Sequence, residues 1–375
     1  MLTKGRPFPL TLVGAGQVAV NRIIPALNSE SASKQFQLRN VIDVVSEQEF
    51  RVRANGLLSD ETLYHQAPMN CGDFGRFLRT RGLSRSPLIV ASPSPLHGTH
   101  LIGSIREGCP TAIEKPLAST AEALELVDLC THNGANPLVF PFGYYLLEKA
   151  LPLLALARSG CLTPVQMSLL SNADPQQWRN ARAALGKLLS FKALIQEGPD
   201  DRIWPRNPAA GGHCLETLSH LFALAVCWSR GLKVTNLLLA QTEAAADWPS
   251  ENVMLATLYD EGGTEFVLGC HKSTHPSRTQ RWVRLEFERG QANMDMDMQV
   301  LHLRGGNLMG PTSLTTQTKY LPQLLMFAEK ILKPSTPTEY AACSRSVALT
   351  LAALSSSRKI PLRRCGETWL EEQFQ

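Results

Sequence analysis

Two groups of residues carry side chains that could transfer a proton or stabilise charge during a hydride transfer. Lys115 lies in Glu-Lys-Pro at 114–116, directly after the apolar end of 111–113. Glu216 and His220 are four residues apart, so on a helix they would share one face. A carboxylate beside an imidazole can fix its tautomer, which suits a group that exchanges a proton with an alcohol, while an ammonium can stabilise an alkoxide. Oxidising a secondary alcohol then needs only a hydride acceptor.

Each group also has a purely structural interpretation. Lys115 could pair with Glu114 at the surface, where such an ion pair contributes about 0–1 kcal/mol. Glu216 and His220 could form a structural i, i+4 hydrogen bond on a helix whose leucines pack a core. The elements that position these residues must therefore decide between the interpretations.

A small-residue turn near the N-terminus could hold that hydride acceptor. Residues 10–14 are an apolar run ending in G-A-G-Q-V-A at 14–19, and the apolar residues after it have helical spacing. Gly14 would permit the tight turn, Gly16 would let backbone amides approach a pyrophosphate, and Ala19 would keep helix and strand close. The pattern predicts a dinucleotide site, although such turns also occur for packing alone. The predicted cofactor contacts here are Gly14, Ala15, Gly16, Gln17 and Val18.

A second predicted strand, 38–45, contains Asp43 where a dinucleotide fold places a carboxylate for the adenosine ribose. The alternative is a strand-end carboxylate that accepts loop N–H groups. The next residue is Val44 rather than a cation, which favours NAD over NADP without excluding NADP.

Strands and helices go on alternating to about residue 140, which predicts a Rossmann-type, doubly wound parallel sheet for residues 1–140. A strand at 87–91 is followed by the loop 92–97 and a helix at 99–107. The short strand 111–113 leads into Glu-Lys-Pro, and a helix capped by Ser119-Thr120 follows. Ligands of such sheets bind at the carboxyl ends of the strands, where all the motifs named so far fall.

Residues 141–375 are predicted to form an α+β domain with an open, mostly antiparallel sheet. The domain would bind substrate and mediate self-association into a homodimer or homotetramer, and its last helices could pack back on the first domain. The turn Glu261-Gly262-Gly263 predicts a hairpin, and the alternating stretch 294–298 predicts a strand with methionines on one face and no metal site. The predicted strands are 234–241, 252–259, 264–271 and 281–287, and the predicted helices are about 320–333 and 338–357.

Composition argues against several partner classes. The net charge of +4, without a run of five Lys or Arg, does not favour nucleic acid or an acidic membrane surface. No apolar run reaches the ~18–20 residues of a membrane span, and no secretory signal is evident. Nine scattered cysteines without a C-x-x-C pair indicate a reduced, cytoplasmic protein without a zinc site.

Four stretches together resemble the Gfo/Idh/MocA family of nicotinamide-dependent oxidoreductases. They are G-A-G-Q-V-A at 14–19, S-P-S-P-L-H at 92–97, E-K-P at 114–116 and A-G-G-H-C-L-E-T-L-S-H at 210–220. The resemblance implies that Lys115, His220 and Glu216 are catalytic. It also implies cofactor contacts from Ser92, Pro93, His97, Glu114 and Lys115. Tyr144, Trp204, Arg206 and His213 are further candidates for substrate contacts.

The chain departs from the family pattern at Glu216, where Asp is usual, and at Ser94, where Asn is common. Residues 142–145 lack the arginine often found there. These departures bear on the identity of the substrate, which the resemblance leaves as a polyol, sugar or nucleotide sugar. The expected reaction is hydride transfer to or from a secondary hydroxyl or ketone of a sugar, sugar derivative or cyclitol. One alternative is transient oxidation by tightly held NAD that drives elimination or hydrolysis. The other is a catalytically silent dinucleotide- or sugar-binding protein.

Overall fold

The computed structural model describes most of the chain, in two compact units. One unit comprises Met1–Tyr144 with Thr316–Ser344, and the other comprises Tyr145–Thr315 with Arg345–Gln375. The described residues are 6–67, 73–133, 138–158, 162–199, 207, 211–229, 231–275, 279–305, 310–316, 318–333, 338–357 and 362–374. The assignment of dinucleotide binding to 1–140, and of substrate binding and oligomerisation to 141–375, stays a prediction.

The first unit is built on a six-stranded parallel sheet. Its strands are β1 (Phe8–Val13), β2 (Phe36–Asp43), β3 (Leu63–Gln66), β4 (Leu88–Val90), β5 (Thr111–Glu114) and β6 (Val139–Phe142). They lie in the order β3-β2-β1-β4-β5-β6, so the sheet is doubly wound with its switch point between β1 and β4. The predicted fold of this half is confirmed, and the switch point is where such sheets form ligand crevices.

Four helices of this unit begin at short polar caps. A π-helical turn, Ala19–Ile23, runs into α1 (Ile24–Leu27), and the others are α2 (Glu30–Ser33), α3 (Glu47–Ala54), α4 (Phe74–Thr80), α5 (His97–Arg106), α6 (Ala121–Asn133) and, from the later segment, α11 (Leu321–Leu332). The four with polar caps are α2, α3, α4 and α6. Ser46 Oγ accepts the Glu49 amide at 3.2 Å, and Thr120 Oγ1 accepts the Ala123 amide at 3.1 Å. Such bonds satisfy amides that a helix leaves without partners at its start. The predicted start of α6 is therefore confirmed.

Helix α11 covers one face of this sheet, although it lies far along the chain from β6. Phe327 is fully buried, and its ring lies 5.8 Å from those of Phe36 and of Phe140. Burying one phenylalanine contributes about 1.5–3 kcal/mol, so this cluster alone ties α11 firmly to β2 and β6. Helix α12 (Thr338–Ser357) starts in the first unit and ends in the second.

The second unit is built on a nine-stranded sheet. Its strands are β7 (Leu188–Glu197), β8 (Lys233–Thr242), β9 (Val253–Tyr259), β10 (Glu265–Lys272), β11 (Gln280–Phe287), β12 (Gly290–Asp295), β13 (Val300–Arg304), β14 (Thr312–Ser313) and β15 (Arg363–Cys365). Its helices are α7 (Leu151–Ala157), α8 (Pro164–Ser168), α9 (Pro175–Leu185), α10 (Ser219–Trp228) and α13 (Trp369–Glu372). The order is β14-β13-β12-β11-β7-β10-β9-β8-β15, with only β7–β10 and β8–β15 parallel. The mostly antiparallel sheet is as predicted.

The predicted strand at 294–298 is wrong. The stretch 294–298 does not continue as a strand, because β12 ends at Asp295 and a turn follows. Asp295 Oδ1 accepts the amides of Asp297 and Met298, each at 2.9 Å, and Gln299 has a φ of +58°. Met294 and Met296 are buried, but Met298 is 66% exposed, so the three methionines do not share a face. Local side-chain bonds of Asp thus override the alternating pattern.

The hairpin predicted at 261–263 is confirmed. Asp260 Oδ1 accepts the Thr264 amide at 2.7 Å, and Gly263 has a φ of +78°. The long central strand β7 was not predicted from the sequence, because its apolar run has no clear period of two.

The last described residues pack on a face of this sheet. Leu370 and Phe374 join a buried cluster with Leu194, Ala240 and Val253. A one-sided sheet was the reason to expect self-association, and this segment covers part of that side. The homodimer or homotetramer stays a prediction.

Candidate active site

The turn after β1 requires glycine at position 14. Gly14 has a φ of +92°, and its amide donates to the Ile42 carbonyl at 2.8 Å. A Cβ there would lie 2.5 Å from the backbone nitrogen of Ser92, on the loop after β4. The glycine therefore serves both the turn and the close approach of two loops at the carboxyl edge.

The surface of this turn is open where a phosphate group would lie. Gly16 is exposed, and a Cβ built on it would meet nothing within 4 Å. Gly16 and Gln17 come just before the π-helical turn at Ala19, so their amides belong to the donors that a helix start leaves unsatisfied. This open cradle of amides fits a dinucleotide phosphate.

Asp43, at the end of β2, faces the same turn. One carboxylate oxygen accepts the Ala15 amide, and the other accepts the amides of Val44 at 2.6 Å and Val45 at 3.1 Å. The structure thus shows Asp43 accepting loop N–H groups, as in the alternative interpretation of a strand-end carboxylate. The side chain is only half-buried, and a carboxylate can accept about four hydrogen bonds, so ribose hydroxyls could still bind to it.

His97 joins the loops that follow β4 and β5. Its Nδ1 lies 2.6 Å from the Pro116 carbonyl and its Nε2 lies 2.7 Å from the Ser92 carbonyl, and the ring is buried. Pro93, the other residue predicted here, precedes a 3-10 turn at Ser94–Leu96. His97 therefore holds Ser92 and the Glu-Lys-Pro loop together, whether or not its ring touches a cofactor.

Glu114 holds the Glu-Lys-Pro stretch in place through buried hydrogen bonds. Its buried carboxylate accepts the Tyr320 hydroxyl at 2.5 Å and the Lys115 amide at 3.1 Å. Gly143 leaves room for it, since a Cβ there would lie 2.1 Å from Glu114 Oε2. The Gly143 amide in turn donates to Gln323 Oε1 at 2.6 Å. Lys115 follows β5 at the carboxyl edge of the sheet and is half-buried.

Tyr320 and Gln323, at the start of α11, were missed from the sequence. Tyr320 has a φ of +66°, a conformation that non-glycine residues seldom adopt and that is often found at functional sites. Nothing in the sequence spacing places residues 320–323 beside β5, so only the three-dimensional fold reveals them.

The second unit holds the other predicted catalytic residues on a buried helix. A π-helical turn at Cys214–Leu218 carries Glu216 and continues into α10, which carries His220, and both side chains are buried. His213 is also buried, with its ring 5.2 Å from that of Trp248. The Cys214 amide donates to Glu251 Oε1 at 2.9 Å, which fixes the start of the turn.

His220 lies against Tyr145, a residue that sequence reasoning passed over. The two rings stack with centroids 4.1 Å apart and planes 10° apart, and the Tyr145 amide donates to His220 Nδ1 at 3.3 Å. The predicted substrate residue Tyr144, one position earlier, is fully buried. Two other predicted substrate residues, Trp204 and Arg206, lie outside the described residues.

A charged network holds Tyr145 in place. Its hydroxyl donates to Glu197 Oε1 at 2.7 Å, and Glu197 also accepts from Lys272 at 2.6 Å and Arg281 at 2.9 Å. Burial opposes ionisation of Glu197, but the charges of Lys272 and then Arg281 outweigh it and hold its pKa well below the usual range. A fixed anion thus orients the phenol that stacks on His220.

Among the described residues, no group of three or more His, Cys, Asp or Glu side chains could hold a metal ion. None of the described helices is long and apolar enough to cross a membrane.

Comparison with solved structures establishes the class of fold. The chain has the two-part architecture of several nicotinamide-linked oxidoreductases, and the likeness extends over nearly all of each chain. The 3-ketoreductase KijD10 from Actinomadura kijaniata, solved with NADP and TDP-benzene, is 15% identical, with a TM-score of 0.65 over 96% of this chain and 99% of that one. Levoglucosan dehydrogenase, solved with NADH and levoglucosan, is 13% identical, with a TM-score of 0.70 over 94% of this chain and 98% of that one. An oxidoreductase from Thermotoga maritima is 14% identical, with a TM-score of 0.69 over 94% and 97%.

No protein-family model matches the chain, and a search of curated proteins finds no significant match. At these identities the structural likeness shows the fold alone. It confirms the fold that the motif resemblance implies.

Proposed function

We propose that this chain is a nicotinamide-dependent oxidoreductase that transfers a hydride to or from a secondary hydroxyl or ketone of a sugar, sugar derivative or cyclitol. The observation that carries the proposal is the carboxyl edge of the first sheet. Its open glycine turn, Asp43, the His97-linked loops and the anchored Lys115 all end there, at the strand ends where doubly wound sheets bind dinucleotides. Structures of the same fold were solved with NADP and with NADH, and their ligands support a sugar or nucleotide-sugar substrate.

The residues of the turn would hold the cofactor. The amides at Gly16 and Gln17 would bind its phosphates, and Asp43 would accept its ribose hydroxyls with the lone pairs that the loop amides leave. Ser92, Pro93 and Glu114 would line or support the same edge. The bound nicotinamide would supply or accept the hydride. We propose NAD as the cofactor, because Val44 rather than a cation follows Asp43.

Lys115 would stabilise negative charge on the reacting oxygen, since its loop is fixed by Glu114 and by His97. His220 would exchange the proton of the reaction, with Glu216 on the preceding turn as a supporting group. Tyr144 and His213 remain proposed substrate residues, as do Trp204 and Arg206. We also propose a cytoplasmic homodimer or homotetramer, which the scattered cysteines and the broad second sheet favour.

Two measurements test this function. A screen of polyols, sugars and nucleotide sugars with NAD and NADP, read by absorbance of the reduced nicotinamide, should find one that turns over with added cofactor. Turnover without added cofactor, by protein that retains NAD through purification, would instead indicate transient oxidation that drives elimination or hydrolysis.

Calorimetry should show that NAD binds more tightly than NADP. Tenfold tighter binding of NADP, a difference of ~1.4 kcal/mol, would contradict the role given to Asp43. No binding of either dinucleotide would refute the function itself. Light scattering at micromolar concentration tests the oligomer, and a 41 kDa species would refute it.

A further inference from the structure

The first turn of α11 is hydrogen-bonded to the carboxyl edge of the first sheet. The Tyr320 hydroxyl donates to Glu114 Oε1 at 2.5 Å, and Gln323 Oε1 accepts the Gly143 amide at 2.6 Å. Both side chains are buried, and the Tyr320 ring lies 5.1 Å from that of Phe142. Glu114 ends β5 and Phe142 ends β6, so this turn contacts two neighbouring strand ends of one unit.

Tyr320 lies where the local rules of helix formation favour another residue. It is the N-cap of α11, a position that Ser, Thr, Asp or Asn usually fills, and its side chain does not cap the helix. Its φ of +66° is one that residues with a Cβ seldom adopt. Such a conformation persists only where the surrounding structure holds it. The turn thus contains a strained residue without a cap, and the phenol of that residue is placed on Glu114.

The Glu114 carboxylate links Tyr320 to the backbone of Lys115. Its Oε1 accepts the phenol, while its Oε2 accepts the Lys115 amide at 3.1 Å. A hydrogen bond from a phenol to a carboxylate is charge-assisted and stronger than one between neutral groups. Gly143 is required beside this carboxylate, because a Cβ there would overlap Oε2. The path from Tyr320 to Lys115 therefore consists of two hydrogen bonds on one side chain.

The residue after Lys115 is held as well, since His97 Nδ1 lies 2.6 Å from the Pro116 carbonyl. Lys115 therefore lies between two residues that have buried partners, and its own side chain is half-buried. A lysine ammonium is carried on a flexible stem of four carbons. The backbone at Lys115 thus decides which atoms the ammonium can reach, and the bonds of its neighbours decide where that backbone lies.

We propose that Tyr320 is a positioning residue for Lys115, because its hydrogen bond to Glu114 sets the backbone from which the ammonium reaches the reacting oxygen. This rests on the function proposed above, in which Lys115 stabilises charge on that oxygen. Tyr320 exchanges no proton in this role and acts through Glu114. The contribution of Lys115 then depends on how the first turn of α11 packs against β5 and β6.

Two matched variants isolate the Tyr320 hydroxyl. Tyr320→Phe removes it and keeps the ring against Phe142. The control is Tyr340→Phe, which removes the hydroxyl of another buried tyrosine in the same unit, one that donates to Asp128 Oδ1 at 2.6 Å. Asp128 lies in the second half of α6, which leads back toward the amino edge of the sheet, away from Lys115. Each variant loses a bond from a phenol to a carboxylate, so a purely structural loss should be similar in both.

The first readout needs neither substrate nor cofactor. Trace acetic anhydride labels amines of the full-length protein, and mass spectrometry gives the rate at Lys115 relative to exposed Lys34. A loosened loop exposes the half-buried amine, so Tyr320→Phe should raise this ratio at least about threefold, whereas Tyr340→Phe should leave it unchanged. An unchanged ratio in Tyr320→Phe, or an equal rise in both variants, would overturn the proposal. If Tyr320→Phe does not fold, Glu114→Gln should give the same rise, and an unchanged ratio there would be equally decisive against it.

Steady-state assays on the substrate found by the screen give the second readout. Tyr320→Phe should lower kcat about tenfold and change KM for NAD less than about threefold, because a displaced ammonium weakens the transition state and leaves the glycine turn intact. Tyr340→Phe should keep both constants within about twofold of wild type. Equal losses of kcat in the two variants would refute the positioning role. Failure of the proposed function is distinguished by the screen and by calorimetry, because the labelling ratio depends on neither.

Discussion

His100, a half-buried histidine of α5, should make the stability of the first unit depend on pH in a calculable way. His100 Nδ1 lies 2.9 Å from Ser92 Oγ, and its ring lies 4.5 Å from that of Phe74. Burial, and then the neighbouring His97, lower its pKa from 6.5 to about 4, while Asp43 acts in the opposite direction. The folded protein therefore keeps His100 neutral at pH values where the unfolded chain protonates it.

The magnitude follows from the two pKa values. Between pH 6.5 and pH 4 the unfolded state binds a proton that the folded state does not, so the free energy of unfolding falls as the pH falls. The full shift corresponds to about 3 kcal/mol at 1.36 kcal/mol per unit. Between pH 7 and pH 5 the contribution of His100 should fall by about 2 kcal/mol.

The perturbation that tests this value is His100→Asn, which keeps a polar atom near Ser92 but cannot take up a proton. Urea unfolding at pH 7 and at pH 5, followed by circular dichroism, gives the change in free energy for each protein. The variant should lose about 2 kcal/mol less than wild type over this range. His302→Asn, at an exposed site in the other unit, controls for the loss of a histidine as such. If wild type and His100→Asn lose the same free energy, the burial argument for His100 is refuted.

Three further predictions concern residues of the two units. Lys115→Met should lower kcat ~10²–10³-fold in steady-state assays and leave NAD affinity nearly unchanged, because the lost charge acts on the transition state. Near-normal turnover would support the alternative that Lys115 only forms a surface ion pair. Gly14→Ala should lower the melting temperature and weaken NAD binding at least tenfold, because Gly14 has a positive φ and a Cβ there would lie 2.5 Å from Ser92. Gly16→Ala should weaken NAD binding without a loss of stability. Equal stability of the two variants would contradict the geometry. Glu197→Gln should lower the free energy of unfolding at pH 7 by ~3–5 kcal/mol. The deficit should shrink as the pH falls below 4.5, because the unfolded wild-type chain then protonates Glu197 while the folded protein, whose Glu197 pKa lies well below that value, does not. A deficit that is constant with pH would refute the ion-pair argument.

The first sheet could be predicted from the sequence because its signals are local. Apolar runs of four to eight residues alternate with helical spacing, and glycines mark the turns, so the strands and the ends that carry Asp43 and Lys115 follow from nearby residues. The same applies to the hairpin at Asp260–Thr264. Where a side chain makes its own backbone bonds, as Asp295 does, the alternating pattern at 294–298 misled the prediction.

The parts of the candidate site that could not be predicted depend on contacts between distant residues. Tyr320 reaches Glu114 from a helix some two hundred positions later, and Tyr145 meets His220 across seventy-five positions. Neither has a spacing rule, since each pairing is set by how helices pack on a sheet. The sequence also places Glu216 and His220 on one helical face, but the amide that fixes the imidazole comes from another element.

The first unit cannot be completed during synthesis until helix α11 has been translated. Strands β1 to β6 are complete at Phe142, but the helix whose Phe327 covers Phe36 and Phe140 begins only at Leu321. At about 5–20 residues per second, a ribosome takes on the order of ten to forty seconds to supply it. During that interval the nascent sheet shows an apolar face to the cell, so the yield of folded protein should depend on chaperones that hold this face until translation is nearly finished.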